Sequence, residues 1–247
     1  LGEAVEAAAD RHAGDLAPEA ARNLCARAAH AAEREALLGA ARAMFARGAD
    51  PQAAARAQSF LGSPLGRSLR AMEARAETGI DDATLSAFVD ALFREPVALD
   101  RVRLLERLAD ATRGAELAAE IDAIAARVVV RAASAQPPGP DAARTLAQAD
   151  ARIEAARTHA IAAWRSQSSV FLQLVYRDAS EEDLAAYVAF AESAEGRWLV
   201  DATARMLSGL EPWLADRMAP GAVPAAPDPL SGTDAPRALR GCAASPS

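Results

Sequence analysis

The 247-residue chain contains no lysine; all 27 of its basic residues are arginine. Without lysine there can be no phosphate-binding G-x-x-x-x-G-K-[ST] loop. Aromatic residues are only 4% of the chain, and β-branched residues are also sparse. That scarcity removes the side chains that favour strands and excludes a large aromatic-lined pocket. Two cysteines, Cys25 and Cys242, cannot make a disulfide framework. No paired C-x-x-C and no H-E-x-x-H occurs, and His12, His30 and His159 stand alone, so no metal site is expected. Cys25 and His30 are five residues apart on a helical stretch and do not share a face. No run of about 18 uncharged apolar residues exists to form a transmembrane helix. No cofactor motif is found; in particular, no G-x-G-x-x-G follows a strand.

What is abundant is alanine, roughly a quarter of the chain, within a hydrophobic share of 51%. Alanine loses no side-chain entropy in a helix and is the strongest helix former. The arginine-only basic set accompanies this bias towards Ala, Gly and Pro and reads as coding bias. The formal charge of −7 and pI of about 5.1 oppose binding to nucleic acid, whose affinity comes from phosphate neutralisation. They equally oppose adsorption to an anionic membrane surface. The chain opens at Leu1 rather than Met, so a removed signal peptide or a domain excised from a longer chain is expected.

Local signals place the helices. Asp50-Pro51 and Ser63-Pro64 each read as a cap followed by proline at the first helical position. Ser180 precedes three acids, Glu181, Glu182 and Asp183, which suit the positive end of a helix dipole. Helices are therefore predicted to start near 51, 64 and 181, with others over 2–12, 18–46 with a break, 82–93, 98–112, 115–134, 140–176 and 195–217. Asp81-Asp82 caps the 82–93 helix. The run Gln136-Pro137-Pro138-Gly139-Pro140 is the clearest linker. The segment 219–247 is rich in Pro, Gly, Ala and Ser and reads as a disordered tail. Cys25 is expected as a small buried apolar residue. Whether it pairs with Cys242 is left open.

A repeat runs through the chain at a constant shift of 130 residues, from Arg47 to Arg177. In the same register Phe60 meets Phe190, and Ser63, Gly66, Arg67 and Leu69 meet Ser193, Gly196, Arg197 and Leu199. Arg75 and Gly79 meet Arg205 and Gly209, and upstream Arg22 and Arg27 meet Arg152 and Arg157. Each copy reads as a long helix, a turn, a capped helix ending in Phe, a serine turn, and a helix carrying Gly-Arg-x-Leu. Glycine inside a helix costs about 1 kcal/mol relative to alanine. Its presence at 66 and 196 predicts that another helix passes too close for a methyl group. The expected fold is all-α: two tandem, pseudo-repeated bundles with a disordered C-terminal tail. The first repeat covers 1–80, a connecting helix 81–97, the second repeat 98–218, and the tail 219–247.

The segment Tyr176-Arg-Asp-Ala-Ser-Glu-Glu-Asp-Leu184, followed by Phe190, Ser193 and Gly196-Arg197, resembles the bacterial family known as domain of unknown function 2059. The run Arg103 to Thr112 is similar to the opening helix of that domain. The resemblance spans 98–217 and, more weakly, 1–80, so the chain reads as two diverged copies. Ala191 and Leu61 stand where the family carries a second aromatic residue, and Ala46 stands where copy two has Tyr176. The resemblance implies a small helical bundle, exported or periplasmic, and implies no catalytic residue or cofactor.

No residue pattern points to catalysis. Gly62-Ser63-Pro64-Leu65-Gly66 lacks the spacing and the preceding strand of a nucleophile elbow, which leaves Ser63 as a helix cap. The best contact residues are Arg67 and Arg197, each following a helix glycine, together with Trp198 and Trp213. Arg197 is placed to pair with Asp201 at i+4, and the two tryptophans read as core or groove residues. The expected function is that of a non-enzymatic exported protein acting through protein or small-ligand contacts. The alternatives are a ligand-binding or enzymatic bundle with a polar site between the repeats, and a structural or stress-linked envelope protein. The oligomeric state is open.

Overall fold

The computed structural model describes residues 1–95, 97–134 and 142–221. Among these residues the chain forms eleven α-helices and no strand: α1 Gly2–Ala13, α2 Pro18–Ala31, α3 Arg34–Ala46, α4 Pro51–Gly62, α5 Pro64–Gly79, α6 Asp82–Arg94, α7 Leu99–Thr112, α8 Gly114–Ala133, α9 Ala142–Val175, α10 Glu181–Ala191 and α11 Ala194–Arg217. The fold is all-α. No helix of the described residues is long and apolar enough to cross a membrane. The 136–140 linker lies outside the described residues, as does the expected tail from residue 222 onward.

The capping residues set the helix starts through hydrogen bonds to the exposed N–H groups of the first turn. Asp50 accepts from the N–H groups of Gln52 and Ala53 at 2.8 and 3.2 Å. Ser63 Oγ accepts from Gly66 N at 3.0 Å, and Ser193 Oγ from Gly196 N at 3.1 Å. Asp81 accepts from Thr84 N, and Ser180 from Asp183 N. The hydrogen bond from Thr84 holds the Asp81 carboxyl below its ordinary pKa. The break expected within 18–46 falls between Ala31 and Arg34.

The described residues fall into two compact units. The first takes 1–47, 118–159 and the chain from 205; the second takes 48–117 and 160–204. Each unit thus draws on both halves of the sequence, and α8, α9 and α11 contribute to both. The grouping by packing follows neither 1–80 nor 98–218, and α6, read from sequence as a connector, belongs to the second unit.

In the first unit α1 packs on α2. Its core mixes large residues such as Val5, Leu24, Ile124, Val128, Leu210, Leu214 and Met218 with Ala9, Ala28 and Ala123, all at most 4% exposed. Alanine at a helix contact lets two axes approach at the close end of the usual 8–10 Å range. Gly209 shows the same economy, because a Cβ there would meet the Met44 thioether at 3.1 Å.

Arginine closes this unit. Arg27 donates to the carbonyls of Met218 at 2.9 Å and Ala132 at 3.2 Å, at the ends of α11 and α8. Arg217 donates to His30 O at 2.7 Å, at the end of α2. These are carbonyls that a helix leaves without an internal partner, and a guanidinium satisfies them while meeting the negative end of the dipole. Burial lowers the Arg27 pKa, the cost of taking a cation out of water. Arg127 bridges Glu120 on α8 and Glu211 on α11 at 2.7 and 2.9 Å. Cys25, 6% exposed, is disulfide-bonded; Cys242 lies outside the described residues.

In the second unit α4 packs on α5 and α7 on α10. The core there is Leu69, Leu105, Leu108, Val175, Tyr176, Ala179, Leu184, Val188 and Ala191. Arg101 donates to Tyr176 O at 2.6 Å and Ala179 O at 2.9 Å, closing the C-terminal end of α9.

Candidate functional site

Two turns of like sequence come together in the second unit. Phe60 ends α4 and Phe190 ends α10; their rings stack 3.9 Å apart at 6°. Each Phe is followed by a serine turn and then by the glycine of the next helix. A Cβ at Gly66 would sit 2.3 Å from Phe60 O and 2.9 Å from the Leu61 Cα. A Cβ at Gly196 would sit 2.3 Å from Phe190 O and 2.5 Å from Ala191 O. The close approach inferred from the two glycines is therefore present, and what passes so near is the backbone end of the preceding helix. The two turns match in cap, in glycine contact and in the phenylalanine they carry.

Beside this stack lies a polar cluster. Both tyrosines of the chain donate to one oxygen of Glu73: Tyr176 Oη at 2.6 Å and Tyr187 Oη at 3.0 Å. The two rings meet edge to face with centroids 6.0 Å apart, and Tyr187 also stacks on Phe60 at 6.1 Å. A buried phenol requires an acceptor, and one carboxylate on α5 serves both. Burial raises the pKa of Tyr176 far above the ordinary phenol value, reinforced by the charges of Tyr187 and Glu73. Burial and then Glu73 raise that of Tyr187. Sequence reading placed Tyr176 in a family pattern, but nothing local marks Glu73 as the partner it shares with Tyr187.

The four contact residues expected from sequence separate in role. Arg67 is exposed and turns back to donate to Gly62 O, at the end of α4. Arg70 donates to the adjacent Leu61 O at 2.9 Å, so both arginines serve the α4–α5 turn. Arg197 is exposed on the first turn of α11. Its expected partner Asp201 lies instead opposite Arg113, at 3.5 Å. The reason is geometric: Arg113 reaches Asp201 from the C-cap of α7, in a left-handed conformation with φ 52°. Trp198 is half-buried in the second unit and Trp213 half-buried in the first. The Trp213 ring carries the Arg217 guanidinium 5.0 Å from its centroid, a cation–π contact. Neither ring forms an exposed patch.

The exposed aromatics are elsewhere. Phe93 on α6 is 83% exposed; on α9, Trp164 is 45% and Phe171 38% exposed. Seven residues span two helical turns, so both lie along one face. Sequence reading did not single out Trp164, because exposure is set by what fails to cover a helix face. Among the described residues, no group of three or more His, Cys, Asp or Glu side chains is placed to hold a metal ion. No family model matches the chain, and neither a curated protein nor a solved structure matches it.

Proposed function

We propose that this chain is a non-enzymatic, exported helical protein that works through contact with a protein partner, using the Trp164–Phe171 face of α9. The observation that carries this reading is the exposure of two large aromatic side chains on one helix face. Aromatic residues are enriched at protein interfaces, where they supply contact area at low entropic cost. They are scarce in this chain, and leaving two of them in water on the same face is a cost that a partner would relieve. The likeness to two diverged copies of the domain of unknown function 2059 family is part of the same proposal. The matching Ser63–Gly66 and Ser193–Gly196 turns support it. The disulfide at Cys25 supports an oxidising, extracytoplasmic compartment, where such bonds persist.

A photo-crosslinking residue at position 164, in the cells that express the protein, tests this. The expected result is a discrete adduct that disappears with Phe171→Ser and is absent when the crosslinker sits at the exposed Arg152. Trp164→Ser leaves stability within about 0.5 kcal/mol, as for other surface changes. The same adducts at 164 and 152, or none at either, would count against the proposal.

A further inference from the structure

Independently of that surface, we propose that the second unit holds a binding pocket for a small zwitterion with a branched apolar side chain, of the class of leucine. A pocket of about 140 Å³ opens where the end of α5, the start of α6 and the end of α9 meet. Its floor is apolar, formed by Ala76, Ile80, Leu174 and Val175. Its rim carries Arg75, Thr84, Arg177 and Asp178. The volume is well short of the roughly 300 Å³ at which drug-sized sites begin, and suits a ligand of fewer than about ten heavy atoms.

The chemistry of the rim defines the ligand. Two guanidinium groups suit a carboxylate, which a planar fork can hold with paired hydrogen bonds. Arg75 also engages a neighbour within the chain, but a guanidinium has five donors and can serve both. Asp178 supplies the opposite charge, suited to an ammonium. It lies 3.9 Å from Arg177 Nε with both side chains more than half exposed, too loose a pair to neutralise either group. An acid and two bases on one rim above an apolar floor match a molecule with a carboxylate, an ammonium and an apolar tail. A purely anionic ligand would meet Asp178 unfavourably.

Gly79 makes the proposal testable without disturbing the fold. It is the last residue of α5, it lines the pocket, and a Cβ there would meet no atom within 4 Å. Gly79→Leu therefore adds a bulky side chain to the pocket lining without a clash at its Cβ. The experiment is a titration of the full chain with L-leucine and, separately, with 4-methylpentanoate, which lacks the ammonium. Binding is read from the methyl resonances of Ile80, Leu174 and Val175. The expected result is saturable shifts with leucine at these methyls, and binding about ten-fold weaker for 4-methylpentanoate. Arg177→Met is expected to weaken leucine about ten-fold, and Gly79→Leu to abolish binding while the spectrum stays folded. No saturable shift with leucine up to tens of millimolar, or undiminished binding by Gly79→Leu, would overturn the pocket. Equal affinity for the two probes would overturn its assignment to a zwitterion.

Discussion

Replacing Gly196 by leucine is expected to lower the melting temperature by roughly 4–12 °C. The new Cβ would fall 2.3 Å from Phe190 O, 2.5 Å from Ala191 O and 2.7 Å from the Ala191 Cα. All three are backbone atoms, so no side chain can swing aside to make room. The α10–α11 turn has to open, and with it the Ser193 cap and the stack of Phe190 on Phe60. Overpacking costs about 1–3 kcal/mol and occasionally more. Removing a helix glycine returns up to about 1 kcal/mol of propensity, so the turn must lose more than that for the effect to show. With three backbone contacts the steric cost is expected to be about 3–4 kcal/mol, above the usual range, so the net loss is about 2–3 kcal/mol. At roughly 2–4 °C per kcal/mol in a chain of this size the shift is roughly 4–12 °C. Thermal unfolding followed by circular dichroism measures it. An unchanged midpoint would mean that the close approach at this turn carries no stability.

Glu73→Ala should cost about 2–6 kcal/mol, for a different reason. It removes the acceptor from two phenols at once, and each hydroxyl left unsatisfied in the interior costs about 1–3 kcal/mol. The cost belongs to the orphaned groups and not to the carboxylate, so it can be undone from the other side. Glu73→Leu combined with Tyr176→Phe and Tyr187→Phe is expected to be more stable than Glu73→Ala alone, since removing every partner leaves nothing unsatisfied. Denaturant midpoints of the two variants decide the matter. If the triple variant is the weaker of the two, the cluster is held by packing and not by its hydrogen bonds.

The same cluster fixes the response to alkali. Both phenols have pKa values raised above the ordinary value of about 10. The folded state therefore keeps protons that the unfolded chain releases. The associated stability is complete below about pH 10 and is lost as the pH climbs from there towards the folded-state values. Each tyrosine contributes a slope of up to about 1.4 kcal/mol per pH unit in that window. These are the only two tyrosines in the chain, so phenolate absorbance reports on them alone and should rise together with unfolding.

What could be read from the sequence was local. The starts of α4, α5 and α10 follow from Asp50-Pro51, Ser63-Pro64 and Ser180, because a cap acts on the three residues after it. The contact at Gly66 and Gly196 was also readable from glycine following a serine cap in both helices, whereas Gly39, in the middle of α3, has no atom within 4 Å of a Cβ. What could not be read involves partners distant along the chain. Arg27 closes the ends of α8 and α11, 105 and 191 residues away, yet it resembles any other helix-surface arginine. Glu73 lies 103 residues from Tyr176 and sits among residues that give no sign of it. The pairing of Asp201 with Arg113 in place of Arg197 depends on the left-handed C-cap of α7, which occurs at an arginine and not at the glycine or asparagine usual for that conformation. The grouping of helices into two units is likewise a matter of packing between segments distant along the chain.

The second unit turns most on Phe60 and Phe190 packing on each other as one stacked pair. A double-mutant cycle of Phe60→Leu and Phe190→Leu, read by denaturant unfolding of the full chain, tests this most directly. The account predicts single losses of similar size and a coupling of about 0.5–1.5 kcal/mol, the range for aromatic pairs. Strictly additive losses, or a loss at only one of the two positions, would contradict it.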